Sequence, residues 1–408
     1  METLKLAELK ALCHQHKVKI PSGSKKADII ALLKERDISN SQAGEAQNDK
    51  VGADGGESVE VKRLNYIGSK YQLIDWLEES MLAKTGYKSL SGKNVADLFA
   101  GTGIVTFHFR RQGANVFAND AELYSHTITR AFNTGVYTSN VRDLINKFND
   151  ELMDESTWNK LPDGYITRNY SPNAHCERKF FTRENAQKVD YIRSRIEENR
   201  KSLTPDEYNF LVASLLVSTD NVGNVAAVYG CYLKDFKKVA LRELTIIPVH
   251  TFTNRPNSSN NTTNLDVLDE SIADVEGIDI AYIDPPYNER QYSKNYFPLN
   301  QIAKTPAKLE DEAPLTGKTG IPTDCFVSPF CSKRTALGAF ERLVKNLNSK
   351  WVFISYNTEG IVPREQFEEM LARYGDVSVV ERIYKRFKSY KYNADKEISE
   401  LLFCLHKH

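Results

Sequence analysis

The spacing of apolar positions changes character along the chain. From Met1 to about Asp37, Leu4, Leu6, Leu9 and Leu12, then Ile29, Ile30, Leu32 and Leu33, recur at helical spacing. They predict two short helices around the turn "KVKIPSGSKKAD", too small to bury a large core. Residues 38–60, "ISNSQAGEAQNDKVGADGGESVE", almost lack large apolar side chains and predict a flexible linker. Beyond Val61 the pattern alternates. "NVADLF" is a short apolar run, "TFHFRRQGA" a helix and "NVFAND" a second strand ending in an acid. That strand–turn–helix–strand order opens a doubly wound, Rossmann-like α/β sheet.

Between residues 140 and 264 the rhythm is helical. "RKFFTRENAQKVDYIRSRIEENRK" and "PDEYNFLVASLLVSTDNVGNVAAVYG" predict helices, and "NRPNSSNNTTN" predicts a polar loop. The strand period returns with "IDIAYI", "KWVFISYN", "VSVVERIYKRF" and "SELLFCLHK". The expected plan is a module at 1–37, a linker at 38–60, an α/β domain from 61–139 and 265–408, and an inserted helical region at 140–264.

Composition changes this picture little. The 408 residues carry no net charge, so a nucleic-acid partner has to be argued from local patches. The six cysteines are scattered with no CxxC pair, which fits reduced thiols and speaks against zinc. No apolar run approaches the ~20 residues of a membrane span, and the charged, amphipathic start is not a signal peptide.

Two strand ends carry candidate chemistry. "DLFAGTG", Asp97 to Gly103, joins a strand to a helix. Gly101 and Gly103 permit a tight turn and close approach of a ligand to the backbone, and the helix start offers free N–H groups. The full phosphate fingerprint and a Walker lysine are missing, so an adenosine ligand without phosphates, S-adenosylmethionine, fits better. Asp120, about 20 residues on at the end of the next strand, can bind ribose hydroxyls. The plainer reading is a glycine-containing loop with a surface acid.

"IDIAYIDPPY" ends its strand at Asp284. The Asp284 carboxylate and the fixed carbonyl of Pro285 form a pair of acceptors for an exocyclic amine. Pro286 stiffens the turn, and Tyr287 offers a face on which a base can stack. Two acceptors holding the hydrogens of a conjugated amine draw it toward tetrahedral geometry and free its lone pair. The plainer reading is a turn that contains two prolines.

With these motifs in place, the chain from Leu64 to Lys407 resembles the Dam-like, adenine-specific DNA methyltransferases of restriction–modification type. "LNYIGSKYQLI" resembles their first cofactor motif, which implies Tyr66 stacking near the cofactor and Lys70 near its carboxylate. "DLFAGTG", with Asp97, Phe99, Gly101, Thr102 and Gly103, resembles the glycine motif. "FAND" with Asp120 resembles the ribose acid, "NLDVLD" with Asp266 the acid near the cofactor adenine, and "DPPY" the catalytic motif. The resemblance implies S-adenosylmethionine as methyl donor, a flipped adenine in double-stranded DNA as target, target recognition in the insertion and no metal. It also implies a cognate restriction endonuclease as a possible partner, and the cytoplasm of a bacterial or phage-infected cell. Related motifs serve cytosine amines and RNA, so these targets stay open, as does a DNA-binding partner subunit without turnover.

The front module resembles a SAP domain, which implies Lys19, Lys25 and Lys26 on phosphates. In "NERQYSKNY", Arg290 and Lys294 suit a loop closing over a flipped base and its flanking DNA. "RIYKRFKSYKY", with Arg386 and Lys388, interleaves bases with aromatics, as a nucleic-acid surface or as a solvated sheet edge.

Overall fold

The computed structural model describes residues 48–51, 59–384 and 398–408. Lys19, Lys25, Lys26, Arg386 and Lys388, and the whole 1–37 module, lie outside the described residues.

Seven strands form the central sheet in the order β10-β11-β9-β6-β3-β4-β5. They are β3 (Asn94–Asp97), β4 (Asn115–Asn119), β5 (Asn261–Thr263), β6 (Ile278–Ile283), β9 (Ser349–Asn357), β10 (Gly375–Tyr384) and β11 (Ile398–Lys407). All pairings are parallel except those of β11, which runs against both β9 and β10. The chain leaves β3 for β4 and β5 on one side, then returns to β6 on the other. The β3–β6 boundary is therefore the topological switch point, where open α/β sheets bind ligands beyond the strand ends.

The strands are apolar because both faces are covered. Val95, Ile280, Tyr282 and Phe353 point into one core, and Ala96, Ala281, Ile283, Val352 and Ile354 into the other. On the first face pack α1 (Ile74–Thr85), α2 (Ile104–Arg111) and α3 (Leu123–Asn133), through Leu77, Phe107, Phe109, Ile128 and Phe132. On the second lie α6 (Ala336–Asn346) and α7 (Arg364–Leu371), through Phe340, Val344, Phe367 and Met370.

Within the insertion, α4 (Arg183–Glu198) and α5 (Pro205–Asp220) add Val189, Ile192, Phe210 and Leu215 to the first core. The insertion thus extends the core of the sheet. Helix α5 opens with a capping box, Thr204 and Glu207 around Pro205, and is buried from Asn209 to Asp220.

Three local expectations differ from the structure. The predicted helix running on to Gly230 ends at Asp220. Gly223 lies against the Tyr229 hydroxyl there, and Leu233 N–H bonds back to Asn224, which folds the segment into a compact loop. The polar run 254–264 contains β5, an edge strand that needs only one neighbour. Its place is set by amides: Asn260 Oδ1 accepts from Val116 N at 2.9 Å, and Asn133 Nδ2 donates to Asn261 O at 2.8 Å. Inside the expected linker, β1 (Asn48–Val51) pairs antiparallel with β2 (Val59–Lys62). Buried Val59 and Val61 anchor β2, and Lys62 N–H reaches Val249 O at 2.9 Å. A further two-stranded pair joins β7 (Leu315–Thr316) to β8 (Ile321–Pro322).

Candidate active site

The glycine turn follows β3 and the proline turn follows β6, so adjacent strands bring both motifs to one rim. Gly101 and Gly103 have φ of 55° and 72°, a region that L side chains rarely adopt. They do different work. A Cβ at Gly101 would meet the Tyr66 ring at 3.3 Å. A Cβ at Gly103 would lie 2.8 Å from Phe132 and 2.9 Å from the Thr129 Cα. Gly103 therefore lets α2 sit against α3 rather than lining the cavity.

A cavity of about 260 Å³ opens between the turns. Asp97, Phe99, Gly101, Thr102, Asp120, Asp266, Asp284, Pro285, Pro286 and Tyr287 line it, with Tyr66 and Lys70 from the loop before α1. Its charge is lopsided. Five carboxyl groups face it, those of Asp97, Asp120, Glu122, Asp266 and Asp284, against the single ammonium of Lys70. A phosphate would be repelled and a cation attracted.

Burial shapes these acids. Asp97 is 1 % exposed, and burial pushes its carboxyl up to about 7. Thr106 Oγ1 donates to Asp97 Oδ2 at 2.6 Å, while Oδ1 is buried without a partner. Asp120 is also raised by burial, although the N–H groups of Gly101 (2.8 Å) and Glu122 (2.9 Å) donate to it. Glu122, raised by burial to about 7, accepts from Asn300 Nδ2 at 2.7 Å. Asp266 is exposed at the rim.

The Tyr66 ring stacks against Tyr292 and Tyr296, with centroids 5.2 and 4.9 Å away. Its loop is held from the insertion: Asp220, buried at the end of α5, accepts from Asn65 N at 2.7 Å, Asn65 Nδ2 at 3.0 Å and Tyr229 Oη at 2.9 Å.

At the proline turn, Lys70 Nζ lies 2.7 Å from Asp284 Oδ1 and 3.5 Å from Glu400 Oε1. Where the resemblance implied a cofactor carboxylate, Lys70 thus has two protein carboxylates as partners. Burial alone would pull the ammonium down, and the two acids reverse this and raise it. Burial raises Asp284 as well, against the pull of Lys70. The Tyr287 hydroxyl sits 3.0 Å from Asp284 Oδ1 and 2.7 Å from Glu400 Oε1. Its ring tilts against Tyr356 and has Lys70 Nζ 4.8 Å from its centroid. The Tyr287 ring, expected to offer a stacking face, is held in place by its hydroxyl. Arg290 and Lys294 are exposed just beyond this turn.

Sequence reasoning missed Glu400, Glu122 and Asp220. Glu400 enters because β11 is reversed, which brings its first residues to the rim where the parallel strands end, with Glu400 opposite Asn357. An acid ahead of the apolar run "LLFCL" is the signal that could have found it. No group of three or more His, Cys, Asp or Glu that could hold a metal ion occurs among the described residues, and no described helix is long and apolar enough to cross a membrane.

Residues 66–331 match the family model for D12 class N6 adenine-specific DNA methyltransferases. The type II methyltransferase M.CviAII of Paramecium bursaria Chlorella virus 1 is 36% identical over 348 residues, covering 85% of this chain and 99% of that protein. M.NlaIII of Neisseria lactamica is 37% identical over 330 residues, 80% of this chain and 93% of its own. M.FokI of Planomicrobium okeanokoites is 33% identical over 345 residues, about half (51%) of that longer protein. The match decides among the targets left open by the motif, in favour of the adenine amine in DNA. The chain belongs to the D12 class of N6 adenine-specific DNA methyltransferases.

Proposed function

We propose that the cavity binds S-adenosylmethionine and that the proline turn holds the 6-amino group of an adenine extruded from duplex DNA. The carrying observation is the cavity itself: five carboxyls and one ammonium at the switch point, reached by both motifs. This wall fits a ligand with two positive centres and no phosphate. The buried, unpartnered Oδ1 of Asp97 suits its ammonium, and Asp120 its ribose hydroxyls. Asp266 suits the edge of its adenine, and Phe99, Gly101 and Thr102 complete the cradle. When bound, the donor supplies an electrophilic methyl on sulfonium.

The chain's own residues supply position and electrostatics. Asp284 and the Pro285 carbonyl accept the two amine hydrogens and free the nitrogen lone pair. Pro286 restricts the turn, so the acceptors do not reorganise as charge develops. Burial in a dry cleft strengthens these contacts. A base inside the stack has its amine engaged in pairing, so extrusion is required. Arg290 and Lys294 meet the flanking backbone as the base leaves the helix. The type II relatives support placing the protein in a restriction–modification pair, and residues 1–37 read as a SAP-like tether that adds non-specific DNA affinity.

Asp284→Ala tests this reading. The variant is expected to bind S-adenosylhomocysteine normally and to transfer no tritiated methyl to adenine in DNA. Turnover near the wild-type rate overturns the role of Asp284.

A further inference from the structure

The proposed work of Asp284 raises a problem of valence. A carboxylate oxygen has two lone pairs. Asp284 Oδ1 already faces Lys70 Nζ at 2.7 Å and Tyr287 Oη at 3.0 Å. If both donors belonged to Asp284 alone, its charge would be neutralised and its pull on an amine blunted. Glu400 stands on the other side of the same donors, 3.5 Å from Lys70 Nζ and 2.7 Å from Tyr287 Oη. It is 8 % exposed and comes from β11, outside the stretch that matches the family model.

Resting on the function proposed above, we infer that Glu400 is a positioning residue for methyl transfer. It divides Lys70 and Tyr287 between two carboxylates, so that Asp284, ionised beside the shared ammonium, is less fully compensated and keeps its accepting power for the amine. The closer Glu400–Tyr287 contact draws the hydroxyl proton away from Asp284. The shared ammonium offsets the repulsion of two carboxylates in a buried site. Without Lys70 the pair cannot both stay ionised, and one takes up a proton. Asp97, Tyr282 and Tyr292 are further titratable groups near enough to feel the charge of Asp284. Glu400 has Asp284, Lys70, Tyr287 and Tyr282 around it.

The charge balance makes an unusual prediction. In the wild-type background Glu400→Gln leaves Lys70 to Asp284 alone, and kcat falls by about tenfold, the equivalent of one pK unit. Affinity for S-adenosylhomocysteine stays unchanged, and Glu400→Asp recovers part of the rate. In a Lys70→Met background the same change has the opposite sign. One carboxylate replaces two, Asp284 ionises more readily, turnover rises, and the pH midpoint of kcat moves down. A merely structural Glu400 would lower kcat in both backgrounds, and that result, or an unchanged kcat in Glu400→Gln, overturns the inference. If Glu400→Gln alone does not fold, Lys70→Met against Lys70→Met/Glu400→Gln still decides the sign. Asp284→Ala separates the two levels: if it is active, the underlying reading fails. If it is inactive while the Glu400 effect has one sign, only the positioning role fails.

Discussion

Gly103→Ala tests whether the glycine turn is built by packing as well as by backbone freedom. Gly103 caps α2 with φ 72° and ψ 3°. An alanine in this left-handed region costs roughly 1–2 kcal/mol. Its Cβ would lie 2.8 Å from Phe132 Cδ2 and 2.9 Å from Thr129 Cα. Both residues are fully buried, and the second atom is backbone of α3, which cannot swing aside as a side chain can. Forcing a methyl into such a site costs about 1–3 kcal/mol more. The sum is on the order of 2–5 kcal/mol, a large part of the usual total stability, and lowers Tm on the order of 10 °C. Gly92→Ala is the control, because Gly92 has φ 71° and nothing within 4 Å of its added Cβ. It carries the backbone cost alone. Thermal unfolding of both variants without ligand isolates the packing contribution. A Tm for Gly103→Ala no lower than that of Gly92→Ala would show that α2 and α3 have room to part, and would refute the close-approach argument.

Two further predictions concern a wall of the cavity and the support behind it. Burial raises Asp97 to about 7, so from about pH 4 to 7 the unfolded chain has ionised this group while the folded protein still holds its proton. Stability therefore falls as pH rises through that window. At pH 8 Asp97→Asn should be more stable than wild type by on the order of 2–4 kcal/mol, and so melt at a higher temperature, and should bind S-adenosylmethionine more weakly. Equal melting temperatures at pH 8 would contradict the burial argument, and equal affinity would remove Asp97 from the donor site. Asp220→Ala leaves Asn65 N–H, Asn65 Nδ2 and the Tyr229 hydroxyl without their acceptor, which costs about 3 kcal/mol or more. It should also weaken donor binding, because Asn65 precedes Tyr66. Calorimetric titration with S-adenosylhomocysteine checks this, and unchanged affinity would uncouple the insertion from the cavity.

How far the chain could be read follows from how local each signal is. The strands β3, β4 and β6 are legible because burial on both faces makes them continuous apolar runs. Asp97, which ends β3, and Asp120 and Asp284, which directly follow β4 and β6, stand where the apolar run stops. Glycines and prolines mark the same ends, since those turns need unusual or restricted backbone. β5 escapes this reading because an edge strand next to α3 is positioned by amides such as Asn133 and Asn260, and Asn–Thr runs look like loops. The β1–β2 pair escapes it because Val59 and Val61, which anchor β2, stand at the end of a polar, glycine-rich stretch. Glu400 and Asp220 are legible only in three dimensions. One depends on the reversal of β11, the other on where α5 ends relative to a loop 155 residues earlier in the chain.

The acids proposed to meet a cationic donor also make the fold less stable than it could be. Asp97 and Glu122 sit near 7 because water is excluded, and Asp97 has a buried oxygen with no partner. A core built for stability would have replaced them with apolar or amide side chains of similar volume. Their retention places the unfavourable interaction where a positive ligand would relieve it. The support around them is correspondingly firm: α5 is buried from Asn209 to Asp220, Asp220 clamps the Tyr66 loop, and Gly103 locks α2 onto α3. The insertion thus supports the cavity, because Asp220 at the end of α5 holds the loop that carries Tyr66 into its lining. A methyl transfer that depends on alignment needs a rigid frame around buried charges, and in this chain the sheet and the insertion share one core.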